Sequence, residues 1–153
     1  MSDVQWQASF AEVTDDTFPD FLRGQIRTFN DAHSPPHRAA REPGAVRPLH
    51  VVLKDAHGDV IGGLAGSTYW DWLEIEHFFV PGALRGQGVG SSLLSTAEAE
   101  ARRRGAAHAF LTTFSFQARA FYATRGYIVV GTLADFPPGS AYFWMRKELT
   151  DHA

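Results

Sequence analysis

The spacing of apolar residues in the first third of the chain predicts a strand, a helix and a long loop. Val4 to Phe10 alternates as a half-buried strand does, and Thr14 to Asp16 offer caps for a helix. That helix carries five apolar residues on one side: Phe18, Phe21, Leu22, Ile26 and Phe29. Residues 30–47 hold three prolines and a glycine, so we expect mostly loop there, with at most one short helical turn.

The middle of the chain is rich in β-forming residues. Three such runs follow one another closely: Leu49 to Lys54, Val60 to Tyr69 and Trp72 to Val80. The first two are joined by the sequence DAHGD, whose glycine supplies the positive φ of a tight hairpin turn. Sequential strands with short links predict an antiparallel meander.

The last third alternates helices and strands. A glycine-rich turn leads into a helical pattern made by Val89, Leu93, Leu94, Ala97 and Ala101, which ends in arginines before a glycine. The elements predicted after it are a strand His108 to Thr113, a helix Gln117 to Arg125, and strands Tyr127 to Leu133 and Ala141 to Leu149. No repeat or linker interrupts the chain, so we expect one mixed α/β domain over residues 1–153.

Composition narrows the chemistry by exclusion. The 153 residues include no cysteine, which excludes disulfides, thiolate metal sites and a covalent cysteine intermediate. A formal charge of -3 gives no electrostatic reason to expect a nucleic acid or an anionic membrane, so the expected partner is a small molecule. The amino terminus lacks the features of an export signal and no segment is long enough to span a bilayer, so we expect a cytoplasmic protein.

The glycine-rich turn is the strongest candidate for a ligand site. Glycines at 86, 88 and 90 let backbone N–H groups converge at the start of a helix, where an anion fits. A dinucleotide fingerprint would need a third glycine where Ser91 stands, and a triphosphate loop would need a lysine after the last glycine. Both of those classes are disfavoured. An ordinary turn without a ligand stays open at this point.

Two motifs resemble one known family. Arg85-Gly86-Gln87-Gly88-Val89-Gly90 is similar to the Arg/Gln-x-x-Gly-x-Gly/Ala signature of the GNAT superfamily of N-acetyltransferases. The stretch ARAFYATRGY resembles that family's Ala-x-x-x-Tyr-x-x-x-Gly-Phe/Tyr segment, with Ala118, Tyr122, Gly126 and Tyr127 in place. The resemblance implies an α/β (α+β) fold. Its central sheet would be mostly antiparallel, with about seven strands flanked by helices and a splayed strand pair at the cofactor site.

The resemblance also implies acetyl-coenzyme A (acetyl-CoA) as co-substrate and no metal. The backbone of Phe78 and Val80 would pair with the pantetheine amides, and the Val80 N–H would face the thioester oxygen. The pyrophosphate would lie on the cradle formed by Arg85, Gly86, Gln87, Gly88, Val89, Gly90 and Ser91. Many members have asparagine where Ser115 stands, so this chain departs from the family at an expected cofactor contact.

Acetyl transfer to an amine needs a base and an acid. A lysine-like amine has a pKa of about 10.4 and must lose a proton before it attacks. Glu74 and Glu76 lie two apart on one strand and therefore on one face, and Glu76 is slightly favoured as the base. Tyr122 occupies the family's general-acid position. Because cysteine is absent, we expect direct transfer within a ternary complex.

The acceptor is expected to be a small, cationic primary amine. By family analogy it would contact Asn30, Tyr69, Trp72 and Asp135, whose acidic and aromatic groups suit a cation. Two alternatives remain: a non-catalytic acyl-CoA-binding or sensor module, and an acyltransferase that uses a longer acyl-CoA. A homodimer is common in the family, but no interface can be assigned from the sequence.

Overall fold

The computed structural model of the protein describes residues 5–12 and 14–150. Contacts divide the chain into two compact units, Met1–Arg38 and Ala39–Ala153. The first unit holds helix α1 (Thr17–His33), and helix α2 (Pro35–Ala39) follows directly. The predicted helix is therefore confirmed, and the Asp15 carboxylate accepts a hydrogen bond from the Thr17 N–H at 2.9 Å. The loop predicted from residue 30 begins later, because α1 continues to His33.

The strand predicted from Val4 to Phe10 is not formed. Val4 lies outside the described residues, and residues 5–10 have no regular secondary structure. Trp6 and Phe10 are 85% and 90% exposed, although the alternating pattern places both on the expected buried face. A strand needs a neighbouring strand for its backbone hydrogen bonds, and in the described residues this segment pairs with none.

The second unit is built on a six-stranded sheet in the order β1-β2-β3-β4-β6-β5. The strands are β1 (Arg47–Lys54), β2 (Val60–Tyr69), β3 (Trp72–Phe79), β4 (His108–Phe114), β5 (Ile128–Ala134) and β6 (Ala141–Glu148). Helix α3 (Val89–Arg103) follows β3, and the short helix α4 (Arg119–Ala123) follows β4. The fold class is confirmed, with six strands in the described residues instead of about seven.

Strand pairing confirms the predicted meander. β1, β2 and β3 pair antiparallel in chain order, as do β4 with β6 and β6 with β5. The pair β3–β4 is parallel, with helix α3 in the connection between its strands. The sheet therefore consists of two antiparallel ladders joined along one parallel seam.

The core lies between α3 and one face of the sheet. From the helix, Leu94, Ala97 and Ala101 are at most 2% exposed. The sheet supplies Leu49, Leu64, Leu73, Ile75, Ala109, Leu111, Phe143 and Met145 to the same cluster. Because side chains alternate along a strand, the neighbours of these residues project from the opposite face of the sheet.

The parallel seam is short, and its end creates the feature that positions the site. Residues Trp72–Ile75 of β3 pair with His108–Leu111 of β4, and no further pairs follow. Beyond that point β3 pairs with β2 alone, while β4 continues along β6. The splayed strand pair predicted from the family resemblance is therefore present. Its two facing edges carry backbone donors and acceptors that strand pairing leaves available.

A β-bulge lies where the splay begins. Ile75 pairs with Gly66 and His77 with Ala65, so Glu76 is an extra residue without a partner on β2. A side chain on Gly66 would overlap the carbonyl oxygen of Glu74, which explains the glycine at this close approach. Bulges bend a strand and redirect side chains beside functional sites, and this one fixes the position of Glu76.

Candidate active site

The predicted anion cradle follows β3 as a turn of backbone amides. The chain leaves β3, makes a short 3₁₀ turn at Gly82–Leu84 and enters α3 at Val89. Gly86 and Gly88 have φ of 74° and 81°, which residues with a Cβ rarely adopt. Among the described residues no side chain caps α3, whose first helical bond from the loop is Ser92 N–H to Gly88 O at 3.0 Å. The earlier amides of this turn lack intrahelical acceptors, so they can bind an anion.

Two polar side chains of the cradle donate hydrogen bonds to backbone carbonyls just before it. The Arg85 Nε–H donates to the Val80 carbonyl at 3.0 Å, and the Gln87 amide donates to the Ala83 carbonyl at 2.8 Å. Both contacts hold the turn in shape. The side chain of Arg85, a member of the expected cradle, is therefore folded toward the end of β3.

The Ser91 hydroxyl is bound by an arginine that no sequence motif singled out. Arg125 follows α4, and its Nε–H and Nη2–H both donate to Ser91 Oγ, the Nε distance being 2.7 Å. Its guanidinium also lies 3.8 Å from the centre of the Phe121 ring. Since Ser91 and Arg125 are 34 positions apart, nothing in the local sequence around either residue could have indicated the contact.

Tyr122 is buried beside the end of β3. It is 6% exposed, and its ring centre lies 6.3 Å from that of Phe78 and 5.2 Å from that of Phe121. Burial raises the pKa of Tyr122 to about 12, because the phenolate would lose its hydration. The phenol therefore carries its proton at neutral pH, as a general acid requires.

Glu74 binds the phenol of Tyr69 directly, whereas Glu76 acts on it through its charge alone. The Tyr69 hydroxyl donates to Glu74 Oε2 at 2.5 Å. Burial, that hydrogen bond and the charges of both carboxylates raise the pKa of Tyr69 to about 12. The β-bulge at Glu76 interrupts the strand alternation from which a common face of the two glutamates was expected, so that common face stays a prediction. Glu74 is half-buried and already accepts a hydrogen bond, whereas Glu76 is exposed.

The other residues predicted to contact the acceptor belong to three different segments of the chain. Trp72 lies on β3, with its ring centre 4.5 Å from that of His108 and 5.0 Å from the Arg146 guanidinium. Asp135 is exposed in the β5–β6 loop with φ of 54°. Asn30 lies near the end of α1 in the first unit, where its carbonyl accepts the Ser34 N–H.

Ser115 has a structural contact of its own. Its hydroxyl accepts the Ala141 N–H at 3.1 Å, and its N–H donates to the Ala141 carbonyl at 2.8 Å. These bonds join the end of β4 to the start of β6. The hydroxyl proton is still free to donate to a ligand, so the predicted cofactor contact stays a prediction.

An aromatic cluster borders the β4 side of the splay, and the prediction of acceptor residues missed it. Its members are Phe114, Phe116, Phe136, Tyr142 and Trp144, with successive ring centres 4.7 to 6.3 Å apart. Phe116, Phe136 and Trp144 are at least 41% exposed. Strand alternation places Phe114, Tyr142 and Trp144 on the face opposite α3, as it does Glu74. The density of aromatic residues in TFSFQ and ADFPPGSAYFW was the available signal.

A comparison with protein families identifies the chain. The model of the acetyltransferase (GNAT) family matches residues 8–127, which include β3, the glycine turn, α3 and the Tyr122 segment. The chain belongs to the GNAT acetyltransferase family. It is accordingly an acetyl-CoA-dependent N-acetyltransferase, as the resemblance implied.

Similar proteins that are named acetyltransferases support this assignment. This GNAT protein is 37% identical over 131 residues to blasticidin-S acetyltransferase of Streptomyces morookaense, covering 82% of this chain and 96% of that one. The crystal structure of an acetyltransferase from Bacillus cereus matches with a TM-score of 0.77 and 26% identity, over 92% of this chain and 97% of that one. Nourseothricin acetyltransferase matches with a TM-score of 0.56 and 27% identity, over 72% and 69%.

The residues present in this GNAT protein fit coenzyme A. A row of amides at a helix N-terminus suits a pyrophosphate, and the splayed strand edges suit the amides of a pantetheine arm.

Within the described part of the chain, no helix is long and apolar enough to cross a membrane.

Proposed function

We propose that the protein transfers the acetyl group of acetyl-CoA directly to a primary amine of a small, cationic acceptor that also carries a planar group. The observation that carries this proposal is the early end of the β3–β4 pairing at Ile75 and Leu111. It opens a gap flanked by the glycine turn, the buried Tyr122 and the redirected Glu76.

Cofactor binding would use the backbone more than side chains. The amides of the turn before α3 would bind the pyrophosphate, and the backbone of Phe78 in β3 and of Val80 just after it would hydrogen-bond the pantetheine amides. Acetyl-CoA would supply the acetyl group as a thioester. The Val80 N–H would donate to the thioester oxygen as negative charge develops on it.

Two proton transfers would complete the reaction. Glu76 would take the proton of the acceptor ammonium, directly or through a water molecule, because it is exposed and Glu74 already accepts the Tyr69 hydroxyl. Tyr122 would donate a proton to the departing thiolate, which its burial suits. Tyr69 and Glu74 would then hold the wall of the site in place and add negative charge for a cationic acceptor.

The aromatic cluster supports an acceptor with a flat group. Aromatic rings bind planar or cationic groups through stacking and cation–π contacts. Phe114 and Trp144 share a sheet face with Glu74, so one acceptor could contact both a ring and a carboxylate. A nucleoside-type antibiotic combines these features, and the relative from Streptomyces morookaense is named for blasticidin S.

The test is a panel of amines with acetyl-CoA, monitored by free thiol release and by mass spectrometry of the acetylated product. The panel contains blasticidin S, an aminoglycoside, an aliphatic polyamine and a peptide amine. We expect the highest kcat/KM for blasticidin S or another planar cation. Glu76→Gln should lower kcat by about a hundredfold or more, whereas Glu74→Gln should act mainly on KM.

Three results would contradict different parts of the proposal. If coenzyme A binds but no amine gives thiol release, the protein is a non-catalytic acyl-CoA-binding module. If butyryl-CoA or a longer donor gives a higher kcat/KM than acetyl-CoA, the acyl group is misassigned. Equal kcat values for Glu74→Gln and Glu76→Gln would remove the assignment of the base.

A further inference from the structure

The positive charge of Arg125 lies beside the N-terminus of α3, a position that is electrostatically unfavourable for a cation. Its guanidinium contacts Ser91 in the first turn of α3, beside the positive end of the helix dipole. A cation at that end is electrostatically unfavourable, and acidic residues are preferred there. In the described part of the chain, Arg125 forms no ion pair with a carboxylate.

The contacts of Arg125 fix its position without neutralising it. Nη1–H donates to the Phe121 carbonyl and to Thr124 Oγ1, both at 2.9 Å, and the guanidinium carbon lies over the Phe121 ring, 3.8 Å from its centre. All of these acceptors, with Ser91 Oγ, are neutral. A guanidinium has five N–H donors, so at least one is left for a further acceptor.

Ser91 is oriented by the same contact. Its oxygen accepts two N–H groups from Arg125, so its own proton must point elsewhere. Ser91 is the third residue of α3, so this contact lies in the same helical turn as the amides that lack intrahelical acceptors. An anion at these amides would thus meet a directed hydroxyl and a fixed guanidinium, which together bind phosphate more strongly than amides alone.

We propose that Arg125, held by Ser91 and Phe121, is a side-chain cation that binds the pyrophosphate of coenzyme A in this protein. This inference rests on the proposed use of acetyl-CoA and adds a phosphate-binding residue to it. Arg85, a member of the expected cradle, donates its Nε–H to the Val80 carbonyl and helps to shape the turn.

The test separates phosphate binding from structural support by comparing ligands with and without phosphate. Coenzyme A and pantetheine are titrated calorimetrically into the wild type and Arg125→Gln, which keeps a planar side chain that can stack on Phe121. We expect about a tenfold or larger rise in Kd for coenzyme A, the effect of losing a charged hydrogen bond. The Kd for pantetheine should change less than threefold. Arg125→Lys keeps the positive charge but loses the planar set of guanidinium donors, so its Kd for coenzyme A should lie between those of the wild type and Arg125→Gln.

Arg103→Ala is the matched control, because it removes one arginine from the opposite end of α3, where Arg103 pairs with Glu100. It should leave both Kd values unchanged. An equal rise in Kd for both ligands in Arg125→Gln would show a structural role and overturn the inference, as would unchanged binding of coenzyme A. If Arg125→Gln does not fold, a wild-type Kd for Arg125→Lys would overturn it. Failure of the wild type to bind coenzyme A would instead contradict the proposed function.

Discussion

Replacement of Tyr122 by phenylalanine separates its chemical role from its packing role. The variant keeps the ring that lies against Phe78 and Phe121 and removes one oxygen. With a pKa raised to about 12, the phenol is protonated in all but about one molecule in 100,000 at pH 7. Loss of a general acid costs about a hundredfold to ten-thousandfold in rate, or about 2.7–5.5 kcal/mol of barrier. We therefore expect kcat to fall by at least a hundredfold.

The assay is thiol release at saturating acetyl-CoA and amine, with KM measured for both. Tyr127→Phe is the matched control, because it also removes a buried hydroxyl, one that donates to Glu98 at 3.1 Å. It should lower stability by about 1 kcal/mol and leave kcat within threefold. A kcat for Tyr122→Phe within threefold of the wild type, in a variant with the wild-type Tm, would refute the acid role and leave Tyr122 as a packing residue.

Three further predictions concern stability. Lys147 donates to the buried Glu98 at 2.7 Å, so Lys147→Met should cost about 3 kcal/mol in urea unfolding, and a cost under 1 kcal/mol would contradict this. Gly66→Ala should lower stability by about 2 kcal/mol, because its methyl group would meet the Glu74 carbonyl. The protonated Tyr69 phenol stabilises the fold at neutral pH. Its pKa is about 10 in the unfolded chain and about 12 in the folded protein, so this contribution should disappear between those pH values. Urea unfolding at alkaline pH should show that loss in the wild type and not in Tyr69→Phe.

The sequence predicts most of the second unit because its signals are local. β2 begins and ends as predicted, and α3 follows its glycine turn as the amphipathic spacing requires. The segment from Val4 to Phe10 shows the limit of such signals. Its alternation is typical of a strand, but strand formation depends on pairing with a distant segment, and the described residues 5–10 have no such partner.

In the candidate site too, the features set by local sequence were predicted and those that depend on distant residues were not. Motif spacing predicted Tyr122 and the cradle, because both depend on residues close in sequence. The contact between Arg125 and Ser91 joins the first turn of α3 to the segment after α4, through residues far apart in the chain, and the aromatic cluster joins two loops. Side-chain direction within the cradle was equally unpredictable: Arg85 is at the position that the motif requires, yet its Nε–H is bound to Val80.

The short parallel seam has a mechanical consequence. Four residue pairs join the two antiparallel ladders, so the two halves of the sheet share few main-chain bonds of their own. A pantetheine arm inserted between them would act as a bridging strand, and its bonds would reach both halves at once. Loading with coenzyme A should therefore slow amide hydrogen exchange on β3 and β4 together, and the donor would serve as a temporary part of the protein's framework as well as its reagent.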